Sequence, residues 1–241
     1  MHIRFRFKRE EELKFIGHLD ILRLFERAFK RSGLPVSHSQ GFNPRPQIVF
    51  AQPMPLGLTS IGEFADVELE KEYYTDEFMQ KLNGSLPPGL QLLEAKKRIK
   101  KSNLMSIIGA ARYKIGFNIE TRENPAIDRF VEIVSGEDTI NVIKKTKSGE
   151  KEINIRPLIY ELSGNINGNT GEVEVLLGAG QTNNVRPELF LSGVSHVIGS
   201  ELKLEYMHRL MLYVEFRGQK GVNLPGANKN AWISPLDEKI L

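Results

Sequence analysis

The chain has 241 residues, 40% hydrophobic and 26% charged, with a formal net charge of +3 and no cysteine. That length suits one large domain or two small ones with a sizeable buried core, and no run of about 18 apolar residues is present to span a membrane. The absence of cysteine excludes disulfides, a thiol nucleophile, thiolate zinc and a cysteine-ligated iron–sulfur cluster within these residues.

Residues 2–9 alternate charged and apolar side chains. This is strand periodicity, and it lacks the apolar block of a signal peptide, so cytoplasmic residence is expected. Residues 18–32 read as an amphipathic helix ended by Gly33 and Pro35. A loop follows over 34–47, then a short strand over 47–52 stopped by Pro53 and Pro55, and a second strand over 63–70. Thr75 is a candidate N-cap, with Asp76 and Glu77 in the first turn of a helix ending near Gly84. Pro87-Pro88-Gly89 is a turn, and 90–99 returns as a strand. The order β-α-β-β-α-β is the split β-α-β, or ferredoxin-like, pattern.

The second half repeats that order with more interruption. A strand is predicted over 113–120, a helix over 125–134, a hairpin over 139–145 and 150–155, a flexible turn over 165–171, a strand over 172–177, a helix over 187–197 and a strand over 206–216. The expected class is α+β, with two ferredoxin-like domains in tandem, the second carrying an extra strand. The expected boundaries are 1–101 for the first domain, 102–111 for a linker with a short helix from 104, 112–217 for the second domain, and 218–241 for a tail, mobile or docked only at its tip.

The charge is unevenly placed. Residues 1–50 hold ten Lys and Arg against five Asp and Glu, so the remainder of the chain is slightly acidic. A local basic excess of this kind suits one face that meets a polyanion. At 100° per residue, Ile21, Leu22, Phe25, Ala28 and Phe29 fall on one arc of the first helix, and Arg23, Arg27, Lys30 and Arg31 on the opposite one. Four cations over about 12 Å can follow a phosphate backbone, and each adds salt-dependent attraction. The alternative is a solvated face with Asp20–Arg23 and Glu26–Lys30 pairs. In the adjoining loop, Gly41 can take a positive φ and Pro44 and Pro46 restrict their neighbours. Phe42 is a candidate stacking platform or a plug over the sheet edge, and Arg45 a candidate phosphate contact. Arg186, before Pro187 at a helix start, is a further candidate anion contact.

His18 opens the basic helix. It reads either as a neutral histidine capping the core or as a general acid or base, with His38 as a second titrating group. His18 and Asp20 do not face each other on a helix, no histidine cluster has ligand spacing, and no metal site is predicted. Glu63 and Asp66, three apart on a strand, point to opposite faces and do not form a carboxylate pair by spacing. No phosphate-cradling glycine loop or nucleophile elbow is present.

The segments Phe15-Ile16-Gly17-His18-Leu19-Asp20, Gly33-Leu34-Pro35, Ser39-Gln40-Gly41-Phe42-Asn43-Pro44, Pro55-Leu56-Gly57 and Glu63-Phe64-Ala65-Asp66-Val67-Glu68-Leu69 resemble the radical-SAM-linked protein family, a bacterial domain of unknown function. The resemblance extends more weakly through Ile155-Arg156-Pro157 and Val185-Arg186-Pro187. Where the family usually has His-Pro-Lys after Asn-Pro, this chain has Arg45-Pro46-Gln47, so a loop histidine role does not carry over. The resemblance implies a radical SAM partner that supplies the iron–sulfur cluster and S-adenosylmethionine, no cofactor in this chain, and an RNA or ribosome context. Three functions stay open: an RNA-binding accessory protein presenting RNA or ribonucleoprotein to the partner, a protein–protein scaffold docking a radical SAM enzyme, and a metal-independent endoribonuclease using His18. The last draws on an analogy with the tandem ferredoxin-like endoribonucleases that process CRISPR repeats.

Overall fold

The computed structural model describes residues 1–120, 129–146, 149–216 and 231–241. The architecture is α+β, dominated by β-sheet with few helices, and it divides into two compact units. One comprises 1–109 and 211–241, the other 110–210. Among the described residues no helix is long and apolar enough to cross a membrane.

In the first unit, strand β1 (His2–Arg9) buries Ile3, Phe5 and Phe7 completely, as period-two alternation requires. Helix α1 (His18–Ser32) buries Ile21, Phe25, Ala28 and Phe29 and ends at Gly33, whose φ of 70° supplies the left-handed cap. Short β2 (Ile48–Phe50) precedes β3 (Leu58–Glu68), α2 (Thr75–Asn83) and β4 (Leu90–Lys97). The strand order is β4-β1-β3, with β2 on β3, and all of these pairs are antiparallel. Val67 of β3 faces Ile3 of β1 on one side and Ile48 of β2 on the other, so β2 lies beyond β3 from β1. Phe5, Phe7, Phe25, Phe50 and Phe78 form one aromatic cluster between the sheet and the helices, with Phe7 and Phe25 ring centroids 5.0 Å apart.

The expected linker at 102–111 holds helix α3 (Leu104–Ile107) and the start of a strand, β5 (Ile108–Ile119). The small apolar run reads as a helix by composition, yet Ile108, Ala110 and Ala111 are buried in a strand.

In the second unit, α4 (Phe130–Gly136) buries Phe130 and Val134; the predicted helix at 125–134 lies partly outside the described residues. Strands β6 (Asn141–Thr146) and β7 (Gly149–Asn154) form a separate two-stranded sheet, so the extra strands stand apart from the unit's main sheet. Strand β8 (Ile159–Asn167) was not foreseen, because its mostly exposed residues lack alternation. It turns through Gly168 (φ 58°) into β9 (Thr170–Gly178), so the expected flexible turn at 165–171 is largely strand. Helix α5 (Pro187–Ile198) precedes β10 (Leu202–Phe216). The main sheet of this unit runs β5-β9-β8, antiparallel, with β10 beside β5. Tyr206 lies over Gly116, where an added Cβ would sit 2.1 Å from its ring, and its hydroxyl donates to Glu172. Burial first, then the Glu172 carboxylate, pushes the Tyr206 phenol up to about 12.

The expected tail, 218–241, is described from 231 onward. That part belongs to the first unit: β11 (Ala231–Ile233) pairs with β10, Leu236 and Leu241 are buried, and the Leu241 carbonyl accepts from the Ile99 and Lys100 amides. Its weak periodicity concealed a docked segment. Its anchors are the Lys96 and Lys100 ammonium groups, which donate to carbonyls of Leu236, Glu238 and Lys239.

Candidate nucleic-acid interface

The Gly/Pro loop is held by its own backbone. Ser37 and Gln47 pair, Ser39 N–H donates to the Arg45 carbonyl at 2.8 Å, and Arg45 N–H donates to Ser39 Oγ at 3.0 Å. The ladder continues through Ser37 N–H to Glu68 of β3, which ties the loop to the sheet. Gly41 takes a φ of 120°, a conformation L side chains rarely adopt. At the tip of this clamped loop the Phe42 ring is fully exposed, at 107% of its reference area. The plug reading of Phe42 therefore fails: the ring covers no sheet edge. A singly exposed phenyl group is common on protein surfaces, and here it leaves both ring faces open to a stacking partner.

Arg23, Arg27, Lys30 and Arg31 are all exposed on α1, but they are not equivalent. Arg23 pairs with Asp20 at 2.8 Å. Arg31 donates to the Ser85 carbonyl just past the C-terminus of α2, where a cation complements the helix end. Arg27 and Lys30 have no ion-pair partner among the described residues, and the expected Glu26–Lys30 pair is not formed. Both line a groove of about 560 Å³ between α1 and the loop, together with Glu26, Phe29, Leu34, Val36, His38, Pro46, Ile48 and Glu70. Arg45 adjoins Pro46 at the groove and is exposed, again without an ion-pair partner among the described residues. The structure thus brings Arg27 and Lys30 to one groove, while Arg45 stands next in the chain to Pro46, one of the groove's loop residues. Arg186 belongs to the second unit, where it is the exposed N-cap residue of α5 ahead of Pro187.

His18 and His38 are not brought together. His38 lines the groove, whereas His18, half-buried, packs edge-on against Phe50 at 5.5 Å. Its Nδ1 is shielded and has no hydrogen-bond partner among the described residues, so the expected carbonyl contact is not made through that nitrogen. Burial holds the imidazole below the ordinary value of 6.5; the Glu63 carboxylate pulls it upward and the Arg9 guanidinium downward. The unfolded chain therefore takes up this proton more readily than the folded one. Stability is expected to fall as pH drops below 6.5, levelling off once the folded ring is also charged. An NMR titration should place the His18 midpoint below 6.5, and His18→Gln should flatten that part of the stability profile; a midpoint above 6.5 contradicts the burial argument.

Two buried arginines that sequence reading passed over brace the first unit, Arg9 beside the start of α1 and Arg4 on the sheet face turned away from it. Arg9 is fully buried and donates to the carbonyls of Leu13, Lys14, Ile16 and Pro55 at 2.6–3.3 Å, fixing the entry into α1. Arg4, also fully buried, makes a bidentate pair with Asp66 at 2.7 and 2.9 Å, and Arg98 approaches the same carboxylate at 3.5 Å. Their only signal was position. Arg4 falls on the polar arc of β1, and nothing local says that the tail segment will cover that arc.

No curated protein matches the chain by sequence. Among solved structures, a chain in a crystal structure of a Cbf5-Nop10-Gar1 complex is similar in fold, with a TM-score of 0.52 at 7% identity, covering 87% of this chain. A chain of an archaeal box H/ACA sRNP Nop10-Cbf5 complex has a TM-score of 0.43 at 8% identity, covering 86% of this chain and 46% of its own. The chain spans 48% of the length of the first of these, about half, and the likeness is one of fold alone. The decisive comparison is with a family model that matches residues 2–187 and so takes in α1, the clamped loop and the groove. The chain belongs to the DUF2344 family, uncharacterized proteins conserved in bacteria.

Proposed function

We propose that this chain is a cytoplasmic RNA-binding accessory protein that presents an RNA or ribonucleoprotein to a partner enzyme of the radical SAM class. The observation that carries the RNA part is the pairing in one groove of two cations without ion-pair partners among the described residues, Arg27 and Lys30, beside a backbone-clamped loop that carries Arg45 and a bare aromatic tip. Cations left without carboxylate partners attract phosphates, and an exposed ring offers a base its face. The radical SAM partner rests on the sequence resemblance, with the cluster and S-adenosylmethionine held by that partner and none in this chain. For the fold, we read each unit as a ferredoxin-like domain. The orders β4-β1-β3-β2 and β10-β5-β9-β8 support this, with the β6–β7 hairpin as an insertion.

Photocrosslinking in cells grown with 4-thiouridine, followed by peptide mapping and by identification of nuclease-resistant co-purifying proteins, tests both parts. RNA adducts on peptides spanning 23–46, together with a radical SAM protein, are expected. Adducts confined to other surfaces, or none, contradict the RNA reading; a partner set without a radical SAM enzyme contradicts the second part.

A further inference from the structure

Resting on the RNA-binding reading, we propose that this site takes single-stranded rather than duplex RNA, with unstacked bases on Phe42 and in the groove between α1 and the loop. A surface for duplex phosphates needs cations alone, since the base faces of an A-form helix are hidden in the stack and its deep groove is closed to side chains. This site has more than cations. Phe29, Leu34, Val36 and Ile48 give the groove an apolar lining, and Arg27 and Lys30 border it. Its volume of about 560 Å³ falls in the range of small-ligand clefts, large enough for a splayed nucleotide.

Glu26 and Glu70 also line the groove. Carboxylates repel a phosphate there but accept from the amino groups of base edges, as they do with cytosine N4. The division of labour is then consistent. Arg27 and Lys30 hold the backbone at the groove, the groove holds a base edge-on to its carboxylates, and the adjoining loop adds Arg45 for a further phosphate and Phe42 to stack another base. Phe42 makes no ring or cation contact among the described residues, so its face is free for stacking.

Fluorescence anisotropy with a labelled, unstructured RNA of about 12 nucleotides, alone and annealed to its complement, decides the matter. The single strand is expected to bind at least about tenfold more tightly at equal salt. Phe42→Ala should weaken single-strand binding about tenfold, the cost of one lost base stack, and leave duplex binding unchanged. Phe42 is wholly exposed, so this variant keeps the fold. Equal or tighter duplex binding, or a Phe42→Ala variant with unchanged single-strand affinity, overturns the inference. If Arg27→Ala/Lys30→Ala still weakens both complexes, the RNA-binding reading survives that result. Failure to bind either RNA, or binding indifferent to Arg27→Ala/Lys30→Ala, overturns both and points to a protein occupant of the groove.

Discussion

Asp66→Leu is expected to destabilise the protein by about 3–5 kcal/mol, because it strands a fully buried guanidinium without its carboxylate. Arg4 has no exposed surface and spends two of its donors on Asp66; its remaining contacts are the Pro235 carbonyl and the Ser102 hydroxyl. Neither neutral acceptor replaces an anion. The companion Arg4→Met/Asp66→Leu variant should recover most of the loss, since a buried ion pair removed as a pair leaves no isolated charge. Arg98, at 3.5 Å from the carboxylate and less deeply buried, can turn toward solvent. Urea unfolding of the three proteins checks this. A single substitution costing under about 1 kcal/mol, or a double variant worse than the single, contradicts the assignment of Arg4–Asp66 as the charge pair that the tail segment seals.

The second large effect concerns binding. Arg27→Glu/Lys30→Glu replaces two unpaired cations by two carboxylates in a groove that already holds Glu26 and Glu70. RNA affinity should fall by about a hundredfold or more near 0.1 M salt, through lost phosphate contacts and added repulsion. Both residues are exposed, so the unfolding midpoint should shift little. Arg23→Glu is the contrast. Arg23 is engaged by Asp20, and its reversal should weaken binding much less. A loss for Arg23→Glu equal to the per-residue loss of the double variant would mean a diffuse electrostatic effect instead of a site.

The elements of the first unit were legible because each carries a strong local signal. β1 alternates, α1 has a clean apolar arc, and Gly33 stops the helix as its left-handed φ allows. The convergence of α1 and the loop was legible only as a juxtaposition in sequence. The groove between them depends on Val36 pairing with Leu69 and Ser37 with Glu68, contacts over about thirty residues that no local pattern encodes. Inequality among the four helix cations was equally hidden. Arg31 is claimed by Ser85, a residue 54 positions away. Whether Phe42 is a stacking platform or a plug is not legible locally, because loop aromatics commonly anchor; here the clamp at Ser39 and Arg45 holds the loop in shape without it. In the second unit, β8 escaped notice because its residues are largely exposed and so need not alternate. Docking of residues 231–241 depends on backbone carbonyls meeting lysines, and composition carries no trace of that.

The salt dependence of RNA binding bears most directly on the account. Single-stranded binding should weaken linearly in log–log terms, and Arg27→Ala/Lys30→Ala/Arg45→Ala should reduce the slope by about 2, roughly 0.7 for each lost phosphate contact. A slope unchanged by removing all three cations would contradict the claim that α1 and the clamped loop together form the RNA-binding face.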